Sequence, residues 1–382
     1  MVDFIATIKC NAYYFSKDFF KILYRKFSKK KEILKFFMPT LIGWLIFTSG
    51  FLISGVLNHD PELYKIIKYF LLFLVFSVLI IIDNTPDLLN KCLNFSLYIV
   101  MIPLLCLIIL RKNDLLVILG DGRIGWLFAF PGTLWKVGAC VWPHTVWKYL
   151  NQLQYKNLLS CELALFCMVL DGSRTAIVWI FLTTVIVGVF YFIQKSYKNI
   201  SYKPICYLLS IILFTYFIIQ PMILSWVLGC NSSNTATCYR LVNGETNIRL
   251  KMLETAWKQV IEKFPWGGGF NSTRVLEEGE YSTIHMTYLQ LLCDGGVVTL
   301  IGYLLFILYP FFILLKFFTE KIEYFFKRFE VMLSSVSVIG LTLLIGLFHP
   351  VSNELNEWGV VFLAISVSMT YIARSQYAFT SS

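Results

Sequence analysis

Apolar runs of bilayer-spanning length recur along the chain, separated by short polar links. Ten of them read as helices: Met38–Leu57, Tyr64–Ile82, Leu93–Leu110, Gly132–Leu150, Leu158–Leu170, Thr175–Ile193, Ile205–Trp226, Val297–Leu315, Val331–Phe348 and Trp358–Tyr371. A hydrocarbon core takes about 20 helical residues to cross, and lipid offers no partner to an open strand edge. The expected fold is therefore an all-α polytopic membrane protein with about ten transmembrane helices. Lys136, Pro143, His144 and Lys148 interrupt the fourth run; such groups are expected to face protein or to snorkel outward. The pattern divides the chain into a basic, amphipathic cytoplasmic segment (1–37), seven helices (38–226), one long polar loop (227–296) and three helices with a cytoplasmic C-terminus (297–382). No cleavable signal peptide is expected ahead of the first apolar run.

Composition agrees with the pattern. The 382 residues are 57% hydrophobic and 15% charged, with a mean hydropathy of +0.68, where soluble domains carry about 25% charged residues. A soluble enzyme, a disordered chain and a nucleic-acid-binding module are excluded. The net charge of +10 has to be read by position. With the N-terminus in the cytoplasm, the cytoplasmic pieces hold 19 Lys/Arg and the outer pieces 10, and four more (Lys65, Lys68, Lys136, Lys148) lie inside spans. That asymmetry sets the orientation and places the 227–296 loop outside. The positive charge is thus a topology and lipid-surface signal.

The four His and ten Cys are scattered without a Cys-x-x-Cys pair, so neither a metal site nor a cofactor is expected. No Gly-x-Gly-x-x-Gly, P-loop or Asp-x-Asp pattern occurs, which leaves no nucleotide or nucleotide-sugar site. Internal repeats are absent. Cys230 and Cys238 bracket seven residues of the outer loop, where an oxidising compartment would join them.

Candidate chemistry lies on the outer side. Within the loop, Asn247 can cap a helix whose apolar face is Leu250, Leu253, Trp257, Val260, Ile261 and Phe264, and which Pro265 stops. Arg249 sits in its first turn, where the helix dipole favours an anion. Gly267 and Gly269, in Pro265-Trp266-Gly267-Gly268-Gly269-Phe270, would let backbone approach a ligand; a plain loop is the alternative. Arg174 follows Asp171-Gly172-Ser173 at an outer junction and opens the sixth span, against the positive-inside bias; a salt bridge to Asp171 is its structural alternative. His285 ends the loop, where a neutral imidazole can take a proton from a hydroxyl. His349 is a weaker rival at another outer edge, and Glu277, Glu278 and Glu280 are solvated alternatives. Two arginines at helix starts suit a diphosphate and a basic His suits a hydroxyl acceptor. Together they point to transfer from a lipid-linked diphosphate to a hydroxyl at the outer membrane surface.

Three blocks of the chain resemble the O-antigen ligase and polymerase family of bacterial inner membranes. Ser173-Arg174-Thr175-Ala176 is similar to the family's Ser-Arg-Gly/Thr-Ala opening of a span. Arg249 through Ala256-Trp257 to the Pro265-x-Gly-x-Gly turn is similar to its periplasmic helix, and His285 through Tyr288-Leu289 to Gly295 to its His-Asn-x-x-Leu…Gly segment. Gly122-Arg123 to Phe130-Pro131 resembles a weaker upstream block. The resemblance implies a GT-C-like, metal-independent, inverting glycosyltransferase in a Gram-negative inner membrane, working on its periplasmic side. The donor would be a glycan on undecaprenyl diphosphate. The acceptor would be lipid A–core for a ligase, or a second lipid-linked repeat for a polymerase; a related branch glycosylates proteins. Residue by residue, it implies catalytic roles for His285, Arg174 and Arg249, with Arg123, Gly267 and Gly269 joining both arginines in substrate binding. Met286 stands where the family's Asn follows the His, and ten spans stand where relatives often have about twelve. A lipid-glycan flippase is the non-enzyme alternative, but it would place ionisable groups near the midplane and show repeats.

Overall fold

The computed structural model describes residues 31–81, 87–119, 123–127, 129–195, 203–219, 222–223, 246–270, 272, 274–277, 280–284, 286–320, 329–350 and 355–380. Among them are eleven α-helices: α1 (Lys31–Leu57), α2 (Ile66–Ile81), α3 (Leu88–Ile109), α4 (Leu134–Asn151), α5 (Tyr155–Asp171), α6 (Arg174–Lys195), α7 (Lys203–Phe214), α8 (Thr246–Lys263), α9 (Thr287–Glu320), α10 (Phe329–Phe348) and α11 (Leu355–Thr380). Each of the ten apolar runs falls on one of these; the seventh continues past α7 as a π-helical turn, Thr215–Ile219, and its last residues lie outside the described ones. Two short antiparallel hairpins interrupt the helical pattern. β1 (Leu116–Ile118) pairs with β2 (Ile124–Trp126), and β3 (Arg274–Glu277) with β4 (Glu280–Thr283).

Among the described residues, seven helices are long and apolar enough to cross a membrane by length and composition, and the chain is a multi-pass membrane protein. Ten were expected. The difference falls on α4, α5 and α7, and for α4 the cause is physical. Protein rather than lipid surrounds it, so it does not need a hydropathy fit for hydrocarbon: from Leu134 to Leu150 nearly every residue is buried. Three of the residues that interrupt its apolar run find partners on other helices. Lys136 pairs with Glu357 of α11 at 2.6 Å, His144 Nε2 lies 3.1 Å from Asn94 Oδ1 of α3, and Lys148 reaches Glu330 of α10 at 3.4 Å.

The tightest crossing is between α1 and α9. A Cβ on Gly302 would stand 2.1 Å from the Phe47 nitrogen, and one on Gly43 2.6 Å from that of Phe306. Only glycine lets these backbones meet. Beside the crossing Trp44 is fully buried among Phe47, Phe306, Trp358 and Phe362, at centroid distances of 4.9–5.2 Å. Its indole N–H is satisfied by the Tyr69 carbonyl at 3.1 Å. This cluster locks α1, α2, α9 and α11 together, while α4 organises α3, α5, α6 and α10 on the other side.

Candidate functional site

The first half of the site is the α5–α6 corner. Gly172 ends α5 in the left-handed region (φ 64°), which turns the chain so that Ser173 is buried and Arg174 opens α6. Asp171, fully buried, faces the start of α4: its Oδ2 accepts the Gly132 N–H at 2.8 Å and the Trp135 N–H at 3.2 Å. The carboxylate thus caps α4 from a neighbouring helix, as an anion does at a helix N-terminus. Arg123 approaches the same turn from the hairpin side, with its Nη1 3.7 Å from the Cβ position of Gly132. The structure therefore brings Arg123 to the turn that Asp171 holds, three residues before Arg174.

The second half is the α8 turn. α8 begins at Thr246, one residue ahead of the expected cap, and ends two before Pro265. Arg249 is in its first turn. The expected apolar face is split in two. Val260 and Leu253 turn inward with Met252 and Ala256, against Ile284, Leu289, Leu292 and Cys293, whereas Trp257, Ile261 and Phe264 are exposed. Beyond α8, the glycine-rich turn is bonded to the kink of α9. Gly268 N–H donates to Cys293 O at 2.7 Å, Gly269 N–H to Asp294 O at 2.9 Å, and Val297 N–H to Pro265 O at 2.9 Å. Ser54 Oγ bridges Asp294 O (2.7 Å) and Gly269 N (3.0 Å), and Asn58 reaches Gly267 O at 2.9 Å. Asp60 accepts the Phe270 N–H, and Phe270 stacks on Phe51 at 4.7 Å. The close approaches at Gly267 and Gly269 are therefore to protein: a Cβ on Gly267 would stand 2.5 Å from Gly296 N, and one on Gly269 2.7 Å from the Asp60 carboxylate.

His285 lies outside the described residues, as do Cys230, Cys238 and Glu278. Its neighbours are anchored on both sides. Ile284 is buried in the α8 cluster, and Thr287 Oγ1 donates to the His349 carbonyl at 2.8 Å. The His349 ring packs on Trp135, with centroids 5.6 Å apart, and Trp135 N–H is one of the two donors to Asp171. One contact chain thus links Thr287, through His349 and Trp135, to Asp171 and the Gly132 turn that Arg123 approaches. Two members of that chain, His349 and Asp171, were visible in the sequence only as a rival base and a salt-bridge partner; Trp135 carried no signal.

A cavity of about 390 Å³ opens beside this chain, between α3, α4, α10 and α11. Leu93, Val137, Leu341 and Val361 make its wall apolar, and Thr133, Thr287 and Pro350 line the end nearest the site. Phe95 and Ile99 line it too and are largely exposed on the bundle surface, so it reaches the lipid-facing side. The Lys136–Glu357 pair is its charged element. Among the described residues, no group of three or more His, Cys, Asp or Glu is placed to hold a metal ion.

No curated protein matches the chain. Residues 159–304 match the family model described as O-antigen ligase. The match runs from α5 through the Asp171–Arg174 corner, α8 and the glycine-rich turn into α9, and leaves Arg123 and α10–α11 outside it. Over these residues, rather less than half of its length, the chain is similar to the O-antigen ligase family.

Proposed function

We propose that the chain is an inner-membrane glycosyltransferase of GT-C-like architecture. It moves a glycan from undecaprenyl diphosphate to a hydroxyl of lipid A–core on the periplasmic side. The observation that carries this reading is the juxtaposition at the α5–α6 corner. Arg123 stands at the turn that Asp171 holds, Arg174 opens α6 three residues after Asp171, and the contact chain from Thr287 arrives at the same turn, beside an apolar cavity that reaches the bundle surface. A diphosphate on a polyprenyl chain needs both features, cations for the headgroup and apolar surface for the chain.

In the proposed step His285 takes the proton of the acceptor hydroxyl, and the oxygen attacks the anomeric carbon from the face opposite the diphosphate. The bond from carbon to the diphosphate oxygen breaks, the configuration inverts, and undecaprenyl diphosphate leaves with the electron pair. Arg174 and Arg249, with Arg123 at the same corner, stabilise the charge that develops on the leaving group. They thereby do without a metal ion. Gly267 and Gly269 contribute by seating the turn that fixes α8, and Asp171 is a positioning residue.

A deletion strain tests the reading. Loss of the gene should leave long glycan on the carrier lipid and bare lipid A–core, and the wild-type chain should restore attachment. A single repeat on the core would instead assign the chain to polymerisation. Unchanged glycan on the core, with no lipid-linked intermediate accumulating, would overturn both.

A further inference from the structure

The outward face of α8 has no protein partner among the described residues. Trp257, Ile261 and Phe264 recur at helical spacing and are 55%, 65% and 65% exposed, and Trp266 beyond them is 49% exposed. The neighbouring face is already used, by Leu253, Ala256 and Val260 against α9. Four large apolar side chains in one patch are costly in water.

Their level in the structure says what covers them. Pro265 O accepts the N–H of Val297, the residue at which the apolar run of α9 begins, so Phe264 and Trp266 sit at the water–hydrocarbon boundary of that span. The patch also continues an existing lipid-facing surface. Val56 and Leu57, exposed at the outer end of α1, directly precede Asn58, which bonds Gly267 O at 2.9 Å beside Trp266. Tryptophan is the residue that favours this depth, with its ring in the headgroup region and its N–H free to meet water. Lys258 and Lys263, both exposed, flank the stripe on either side and suit phosphate headgroups.

We infer that α8 is a membrane-surface helix whose Trp257–Ile261–Phe264 stripe, with Trp266, is embedded among the phospholipids of the outer leaflet. Such a helix lies in the interface plane with its apolar face in the acyl boundary. Arg249, at the other end of α8, is then kept near the lipid surface. The inference stands whether or not the chain transfers a glycan.

Site-specific photocrosslinking of the full chain tests it. Ile261 is replaced by p-benzoylphenylalanine, and the protein is reconstituted in vesicles of phosphatidylethanolamine and phosphatidylglycerol, illuminated and read by mass spectrometry. Phospholipid adducts are expected at 261 and, several-fold fewer, at the control position 262, which lies on the water side of the same helix. Phe264, equally exposed, takes the probe if the 261 variant does not reach the membrane. Adducts to a second copy or to another part of the chain, equal lipid yields at 261 and 262, or no adduct at 261 would each overturn the inference.

Discussion

Replacing Gly296 by alanine should detach the α8 turn from α9. Gly296 is held at φ 73°, inside a helix that continues on both sides of it, and an added Cβ would stand 2.3 Å from Pro265 O and 2.5 Å from the Trp266 carbonyl carbon. Both are backbone atoms, so no side chain can swing away. An ordinary contact needs 3.4 Å or more, which requires the turn to retreat by about 1 Å. Three hydrogen bonds span that gap, at 2.9, 2.7 and 2.9 Å. Losing them costs about 1 kcal/mol each, and the left-handed alanine adds about 1–2 kcal/mol, for a total of about 4–5 kcal/mol. At about 1.4 kcal/mol per factor of ten, opening of the turn becomes roughly a thousandfold more frequent. Cleavage of the intact protein within residues 265–270 by an externally added protease should rise accordingly, and transfer per folded molecule should fall because α8 loses its seat. Gly188→Ala is the control: nothing lies within 4 Å of its Cβ position, and alanine is the better helix former. Wild-type cleavage and turnover in Gly296→Ala would refute the idea that the glycine-rich turn serves to dock α8.

Asp171→Asn keeps an acceptor for Gly132 and Trp135 and should cost about 1–2 kcal/mol, whereas Asp171→Ala leaves two buried N–H groups unpaired and should cost about 3–5 kcal/mol; equal losses of thermal stability in detergent would show that the charge, not the cap, matters. Arg174→Ala and Arg249→Ala should each lose about ten- to hundredfold in transfer rate, from about 1.5–3 kcal/mol of charged hydrogen bonding, with lysine restoring only part because it lacks the planar fork; wild-type donor binding and turnover in both would remove the arginines from the site. His285→Ala should lose about 10²–10⁴-fold at normal membrane abundance, and wild-type activity should fall at acid pH as the imidazole protonates. His349→Ala should lose less, through packing on Trp135; the reverse ranking would exchange their roles. Cys230 and Cys238, if joined, stabilise the loop by about 2–4 kcal/mol and should give linked peptides without reduction; free alkylation of both in native membranes would end that proposal.

The helices were legible because each must satisfy a one-dimensional rule, about 20 apolar residues between polar ends. What the rule cannot register is which helices meet protein instead of lipid. Lys136, His144 and Lys148 made α4 the weakest of the ten runs, and for the same reason it is the helix at the centre. Its polar groups meet Glu357, Asn94 and Glu330 on three other helices. Those partners lie between 50 and 221 residues away in the chain, where no local pattern connects them. The hairpins were missed because strands of three and four residues are too short for alternation to emerge from loop composition.

The arginines stood out because each breaks a rule of its own, Arg174 the charge bias of outer segments and Arg249 the usual preference for acids in a helix's first turn. The residues that seat the elements carrying them break none. Glycines in a turn read equally well as a cradle for a ligand or as a seat for another backbone, since both uses need only a missing Cβ. The tie is broken by Gly296, about thirty residues on from Gly267, whose nitrogen occupies the space that a Gly267 side chain would fill. Asp171 is similar. Near Arg174 in the sequence it suggests an ion pair; in the structure its Oδ2 accepts the N–H groups of Gly132 and Trp135, so that one carboxylate sets the position of α4 relative to α5. The cationic corner is thus built on backbone donors and acceptors, which every residue carries. Substitutions that respect these backbone contacts should be tolerated around the site, while a single methyl group at Gly296 should not.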